Sequence, residues 1–138
     1  VTIPATATDV AAFLAAAPQS LGTVGATIFQ VPEQPEDEIY PAAAIFCVVY
    51  AGEQDDDVGD LPHGVYKPKA QITVRGAQTP DAWATGEAKA RAARDALHSA
   101  SLGGSYISCR VLNGPNFIGK NDQDQPRWTI NVAIRAAV

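Results

Sequence analysis

Between Lys69 and Ala100 the hydrophobic period of the chain changes once, and that change predicts its central pair of elements. Ala70, Ile72 and Val74 alternate with Gln71, Thr73 and Arg75, the period of two of a strand with one apolar and one polar face. Gly76 ends the alternation. Thr79-Pro80-Asp81 then has the order of a helix start, with a hydroxyl cap, proline at the first helical position and an acid in the first turn. Trp83, Gly86, Ala90, Ala93, Leu97 and Ala100 follow at spacings of three and four, which predicts a helix to about Ala100, stopped by Gly103-Gly104. That stripe is mostly small residues, so the helix axis can lie close to a sheet. The opposite face carries Glu87, Lys89, Arg91, Arg94, Asp95 and His98, with Glu87 and Arg91 at an i,i+4 spacing worth about 0.3 kcal/mol.

The same reading extends to both sides. Thr8, as a cap, opens a short helix through about Ala17, ended by Pro18, with Val10, Phe13, Leu14 and Ala17 as its buried face. Ala26–Val31 reads as a strand. Ala42–Ala51 is continuously apolar, which predicts a strand covered on both faces by helices or by a neighbouring subunit. Gly52–Lys67 reads as a long loop, with Gly64-Val65-Tyr66 adding a short strand before the next. Ser105–Leu112 alternates again, Asn113–Pro126 reads as a second long loop, and Arg127–Ala136 is a last strand with Trp128, Ile130, Val132 and Ile134 on one face. The order is helix, three strands, helix, two strands. This predicts one α+β domain over residues 1–138: a mostly antiparallel sheet of about 4–5 strands, with an N-terminal helix and one long central helix packed on it.

Composition narrows the class. Of the 138 residues 46% are hydrophobic and 18% charged, the balance of a globular domain with one core. The longest apolar run is far too short to span a bilayer, and the N-terminus lacks the pattern of a signal peptide, so synthesis in the cytosol without export and no membrane partner are expected. The absence of methionine fits a removed initiator or an alternative start codon. A formal net charge of −5 argues against a sequence-reading nucleic-acid binder, which carries a basic footprint. Cys47 and Cys109 fall in predicted strands without zinc-site spacing and are expected to be reduced and buried.

No catalytic constellation emerges. His63, in the acidic loop, and His98, on the polar side of the central helix, have no partner that spacing identifies, and both are expected to be solvated. Asp55, Asp56, Asp57 and Asp60, and separately Asn121-Asp122-Gln123-Asp124, have oxygen ligands for a divalent cation but lack the central glycine and distal glutamate of a calcium loop. Such charge runs are most often solvated loops. No metal, cofactor or enzymatic activity is therefore expected. Trp83 and Trp128 lack the surrounding basic patch of a base-stacking platform and are expected in the core or at a subunit boundary. Phe117-Ile118 is an apolar pair inside a polar loop, which fits either a contact tip or a loop folded back on its own domain.

Several segments together form a familiar pattern. A short helix precedes a strand and the proline-rich turn VPEQPEDEIYP; an apolar strand ends Tyr50-Ala51-Gly52; Ile72-Thr73-Val74-Arg75-Gly76 leads into an alanine-rich helix ending Ala96-Leu97. A strand, a Gly114-Pro115 turn, the segment Phe117-Ile118-Gly119-Lys120-Asn121-Asp122 and an alternating strand complete it. In these features the chain resembles the bacteriophage tail terminator and tail completion proteins, often called minor capsid proteins. It departs in having Gln123 to Arg127 where the family has a one- or two-residue polar turn.

The resemblance implies a structural virion protein without catalytic activity, assembled in the host cytoplasm into the tail or neck of a long-tailed phage. It implies a homohexameric ring that ends the tail tube, binds the tube protein on one side and a head-completion or neck protein on the other, and passes DNA through its lumen. Six copies at −5 would carry roughly −30 charges, which suits a low-friction DNA channel. The candidate partner contacts are Asp55, Asp56, Asp57 and Asp60 in one loop and Phe117 and Ile118 in the other, with Arg91 and Arg94 pairing a neighbour's Asp55–Asp57. Other readings stay open: another neck, head-completion or tail-tube protein, a small ligand-binding α+β module, or an enzyme using the two aspartate clusters as a metal site.

Overall fold

The structure, a computed structural model, describes residues 4–32, 42–55 and 64–137. Among them the elements run α1 (Thr6–Ala15), β1 (Ile28–Phe29), β2 (Ala44–Asp55), β3 (Val65–Arg75), α2 (Ala82–Leu97), β4 (Tyr106–Lys120) and β5 (Pro126–Ala137). The strands form one sheet in the order β1-β2-β3-β5-β4, parallel between β1 and β2 and antiparallel elsewhere. This is the expected α+β architecture.

Both helices lie on one face of the sheet, and the core lies between. Cys47 of β2, Ile72 of β3 and Ile130 of β5 stand side by side in the register, and all three are fully buried. Ala70, Val74, Trp128, Val132 and Ile134 extend that face, closed by Val10, Ala11 and Leu14 of α1 and by Ala90, Ala93 and Leu97 of α2. Each buried aliphatic side chain contributes roughly 1.5–3 kcal/mol through water release. Among the described residues the other face of the sheet carries no helix.

The central stripe of α2 lies on the sheet as its small residues predict. A Cβ added to Gly86 would meet Cζ3 of Trp128 at 2.5 Å, so a glycine there lets the indole pass beneath the helix. Trp83, one turn earlier, is not in the core: it is 48% exposed at the helix margin.

Several boundaries differ from the sequence pattern, each for a local reason. Asn113–Pro126 is not a long loop. β4 runs through it to Lys120, paired with β5 across four register breaks. Asn, Gly and Pro are poor strand residues, but an edge strand absorbs them as bulges. Gly114 sits at φ +107, and a Cβ there would meet the Thr129 carbonyl oxygen at 2.5 Å. The real turn is Asn121–Gln125, where the Asn121 Oδ1 accepts from the backbone N–H of Gln123 (3.0 Å) and Gln125 (2.9 Å). Asp124 in that turn pairs with Lys120 at 3.2 Å.

Gly52–Lys67 likewise shrinks, because β2 continues to Asp55 and β3 starts at Val65. Ala26–Val31 contributes only Ile28 and Phe29, because the N–H groups of Ala26, Thr27 and Ile28 all close a turn on the Thr23 carbonyl. Thr8 lies inside α1 rather than capping it, and Ala17 lies beyond its end and is exposed. At α2 the Thr79 hydroxyl bonds Asp81 Oδ1 (2.6 Å) instead of the helix backbone, and the helix starts at Ala82. It ends at Leu97 because Ser99 turns left-handed (φ +61) and bonds the Cys109 carbonyl. On β2 both faces are covered only from Ala44 to Cys47. There Phe46 stacks on Phe29 (5.8 Å) and lies under the Arg75 guanidinium (5.3 Å), whereas Tyr50, at a bulge, is 54% exposed.

Candidate functional site

Phe117, which the sequence places in a loop as either a contact tip or a fold-back, sits on β4, directly opposite Trp128 of β5. The start of α2 brings Trp83 over the same pair. The ring centroids of Trp83 and Phe117 are 4.5 Å apart, those of Trp83 and Trp128 5.5 Å, and those of Phe117 and Trp128 5.8 Å. Trp128 forms the buried base of this cluster, while Trp83 and Phe117 (44% exposed) form its rim. The next residue, Ile118, is 45% exposed. Such a corner combines a rigid foundation with apolar surface in water, the character of a protein contact.

The charged candidates fall out differently. Arg91 reaches Glu87 at 2.8 Å and Arg94 reaches Asp95 at 3.1 Å, so both arginines of α2 are engaged on their own exposed helix surface. Asp55 ends β2 opposite Val65. Asp56, Asp57, Asp60 and His63 lie outside the described residues. His98 is exposed at the C-terminus of α2. Among the described residues no group of three His, Cys, Asp or Glu side chains is placed to hold a metal, and no helix is long and apolar enough to cross a membrane.

Away from Phe46, the face of the sheet opposite the helices is polar across β3, β5 and β4. Gln71 donates to Asn131 Oδ1 (3.3 Å), Asn131 donates to Asn113 Oδ1 (2.8 Å), and Asn116 donates to the same oxygen (3.0 Å). This amide ladder crosses β3, β5 and β4. Beside it stand Lys69, Arg110 and Arg135, around the small residue Ala133. Alternation in β3 places Lys69 with Gln71 on the polar side. No local pattern reveals this grouping, because it depends on the register of Ala133 with residues 23 (Arg110) and 64 (Lys69) positions away.

Two buried thiols complete the chemistry. Burial pushes Cys47 up to about 12 and Cys109 up to about 11, which leaves both as unreactive thiols. They are free, and β3 and β5 separate their strands, roughly 14 Å at ordinary strand spacing and well beyond disulfide reach. Tyr106 ties the edge strand to α1 through its hydroxyl, which bonds the Asp9 carboxylate.

The described surface offers an apolar corner and an amide ladder, and comparison with known proteins gives the chain a family. A family model described as bacteriophage tail terminator protein matches residues 18–138, spanning all five strands and α2. The chain belongs to the bacteriophage tail terminator family. The match begins after α1, so the helix that supplies Val10, Ala11 and Leu14 to the core lies outside the matched region. Membership makes this a structural component of a phage tail. No curated protein matches the sequence.

Proposed function

We propose that the chain closes into a homohexameric ring at the head-proximal end of a long phage tail, ends the tail tube there and joins it to the head or neck. One side of the ring meets the tube protein and the other a head-completion or neck protein, and DNA passes through the lumen. The protein is not an enzyme in this reading. The observation that carries it is the family match across 121 of 138 residues (18 to 138 inclusive). The exposed rim of Trp83 and Phe117 supports it, as an apolar contact surface held between α2 and the edge strand. Assembly takes place in the host cytoplasm, and the finished protein resides in the virion.

The test is assembly without the protein. Particles made from a phage lacking it should show tails of irregular length that fail to join heads, and added protein should restore both. Electron micrographs showing normal tails on filled heads would overturn the proposal. Negative-stain images of tail tubes with bound protein should show a six-fold ring at one end.

A further inference from the structure

Among the described residues the exposed large apolar side chains fall on two opposite borders of the sheet. Trp83, Ile107, Leu112, Phe117 and Ile118 lie on β4 or against it. Val24 and Val31 flank β1, and Tyr50 stands on β2. Bulges produce much of this arrangement. Three of the four register breaks of β4 hold Ile107, Leu112 and Ile118, and the break between β2 and β3 holds Tyr50. A bulged residue drops out of the strand pairing, and the bend re-aims its side chain. At these four positions the residue set free is large and apolar, and it meets water rather than the core.

The amount of surface fits a subunit contact. A half-exposed side chain of this size presents roughly 100 Å², so the five on the β4 border offer about 450–500 Å². A standard interface takes about 800 Å² from each partner, a little over half of it apolar. The opposite border has the composition of an interface core, which is poor in charge. Residues 18–32 and 42–52 hold no Asp, Glu, Lys, Arg or His, in a chain with 15 acidic and 10 basic side chains. β1 pairs only with Ile45 and Phe46, so among the described residues Tyr50 stands on an open border of β2.

The register sets the two borders level. Val49, Ala70, Val132 and Val111 form one row across β2, β3, β5 and β4. Tyr50 stands one residue from the β2 end of that row, and Leu112 one residue from its β4 end. A ring whose axis runs along the strands keeps every residue at its height, so the Tyr50 border of one copy meets the Leu112 border of the next. Two different patches meeting in this way make a head-to-tail contact, the kind that closes rings. We infer that Tyr50 of one copy packs on Leu112 of a second copy, and that the β2 and β4 borders joined there close the ring. A tyrosine suits this place, because it carries a large apolar ring and keeps its hydroxyl at the wet rim. The inference rests on the ring reading and names the contact that closes it.

Disulfide trapping tests it. Tyr50→Cys combined with Leu112→Cys, each single variant and wild type are assembled on tail tubes, oxidised and run on a non-reducing gel. Within one chain the two positions lie three strand spacings apart, roughly 14 Å and beyond disulfide reach, so a bond between them joins two copies. The double variant should give a ladder of linked chains ending at six, while the single variants and wild type, whose own cysteines are buried, should stay monomeric. Tyr50→Asp and Leu112→Asp should each lower the assembled fraction by about tenfold or more and leave monomer melting unchanged. Rings of the double variant that yield only monomers, or rings that tolerate both aspartates, overturn the inference and leave the ring reading standing. Dimers from Leu112→Cys alone put two β4 borders back to back, and a bond to the tube protein puts the border on the tube; either result overturns the inference. A wild-type chain that never forms rings overturns the ring reading itself, and the inference with it.

Discussion

A Cβ on Gly86 would lie 2.5 Å from Cζ3 of Trp128, so the indole of β5 occupies the space that any larger residue of α2 would need. Alanine in a helix is favoured over glycine by about 1 kcal/mol. Overpacking a filled site costs about 1–3 kcal/mol. Trp128 also packs against both Phe117 and Trp83, so it has little room to yield. Gly86→Ala should therefore lower stability by up to about 2 kcal/mol, measured by denaturant unfolding followed through tryptophan fluorescence. A stabilised variant would show that the ring moves freely.

The exposed part of that cluster should matter more for assembly than for folding. Phe117→Asp removes two aromatic contacts, each worth about 0.5–1.5 kcal/mol, from a half-exposed position. The monomer should stay folded with a stability loss of about 1–2 kcal/mol, while binding to tail tubes is lost. Circular dichroism and tube co-sedimentation measure the two effects. An unfolded monomer would place Phe117 in the core instead.

Tyr106 joins the edge strand to α1 by its bond to Asp9. Tyr106→Phe should cost about 1.5–3 kcal/mol, the usual range for a hydrogen bond to a charged group. Hydrogen exchange should speed up in α1 and leave the β3–β5 pairing unchanged, because that pairing draws on other contacts. Uniform acceleration along the chain would mean that α1 does not open separately.

Alkaline pH should destabilise the fold. Burial raises the Cys47 thiol from 9.0 to about 12 and the Cys109 thiol from 9.0 to about 11. Burial, followed by the bond to Asp9, raises the Tyr106 hydroxyl from 10.0 to about 12. In each case the folded state holds its proton more tightly than the unfolded chain. The stabilisation is complete below about pH 9 and is lost as pH rises toward 12, because the unfolded chain ionises first. Melting temperature should thus fall across that window, and Cys47→Ala should flatten the decline while lowering the plateau. At pH 8 a thiol reagent should leave both cysteines unmodified until denaturant is added.

How far the sequence reveals this structure depends on where each residue is satisfied. In β3 and β5 every second side chain meets the core, so Ala70, Ile72, Val74, Ile130 and Val132 announce their strands by periodicity alone. The far half of β4 meets solvent on most sides, and nothing selects an apolar alternation there. Its strand character comes from pairing with β5, which a local pattern does not encode. The contact residues divide in the same way. Phe117 stands out as an apolar residue among polar ones, although its place on a strand beside Trp83 does not. Arg91 and Arg94 satisfy charges on their own helix, whereas the grouping of Lys69, Arg110 and Arg135 arises only once three strands are in register.

The broken register of β4 has a further consequence. Unpaired strand edges invite another strand to add on, and repeated addition produces fibres. Here one outer edge is interrupted four times and the other is a strand of two residues, beyond which β2 carries its own bulge. Along β4 the breaks leave no straight run of backbone for a further strand to copy. A protein that halts the growth of a polymer is thus built so that this edge does not start one of its own, and in the ring proposed above copies meet through side chains, whose number in a closed assembly is finite.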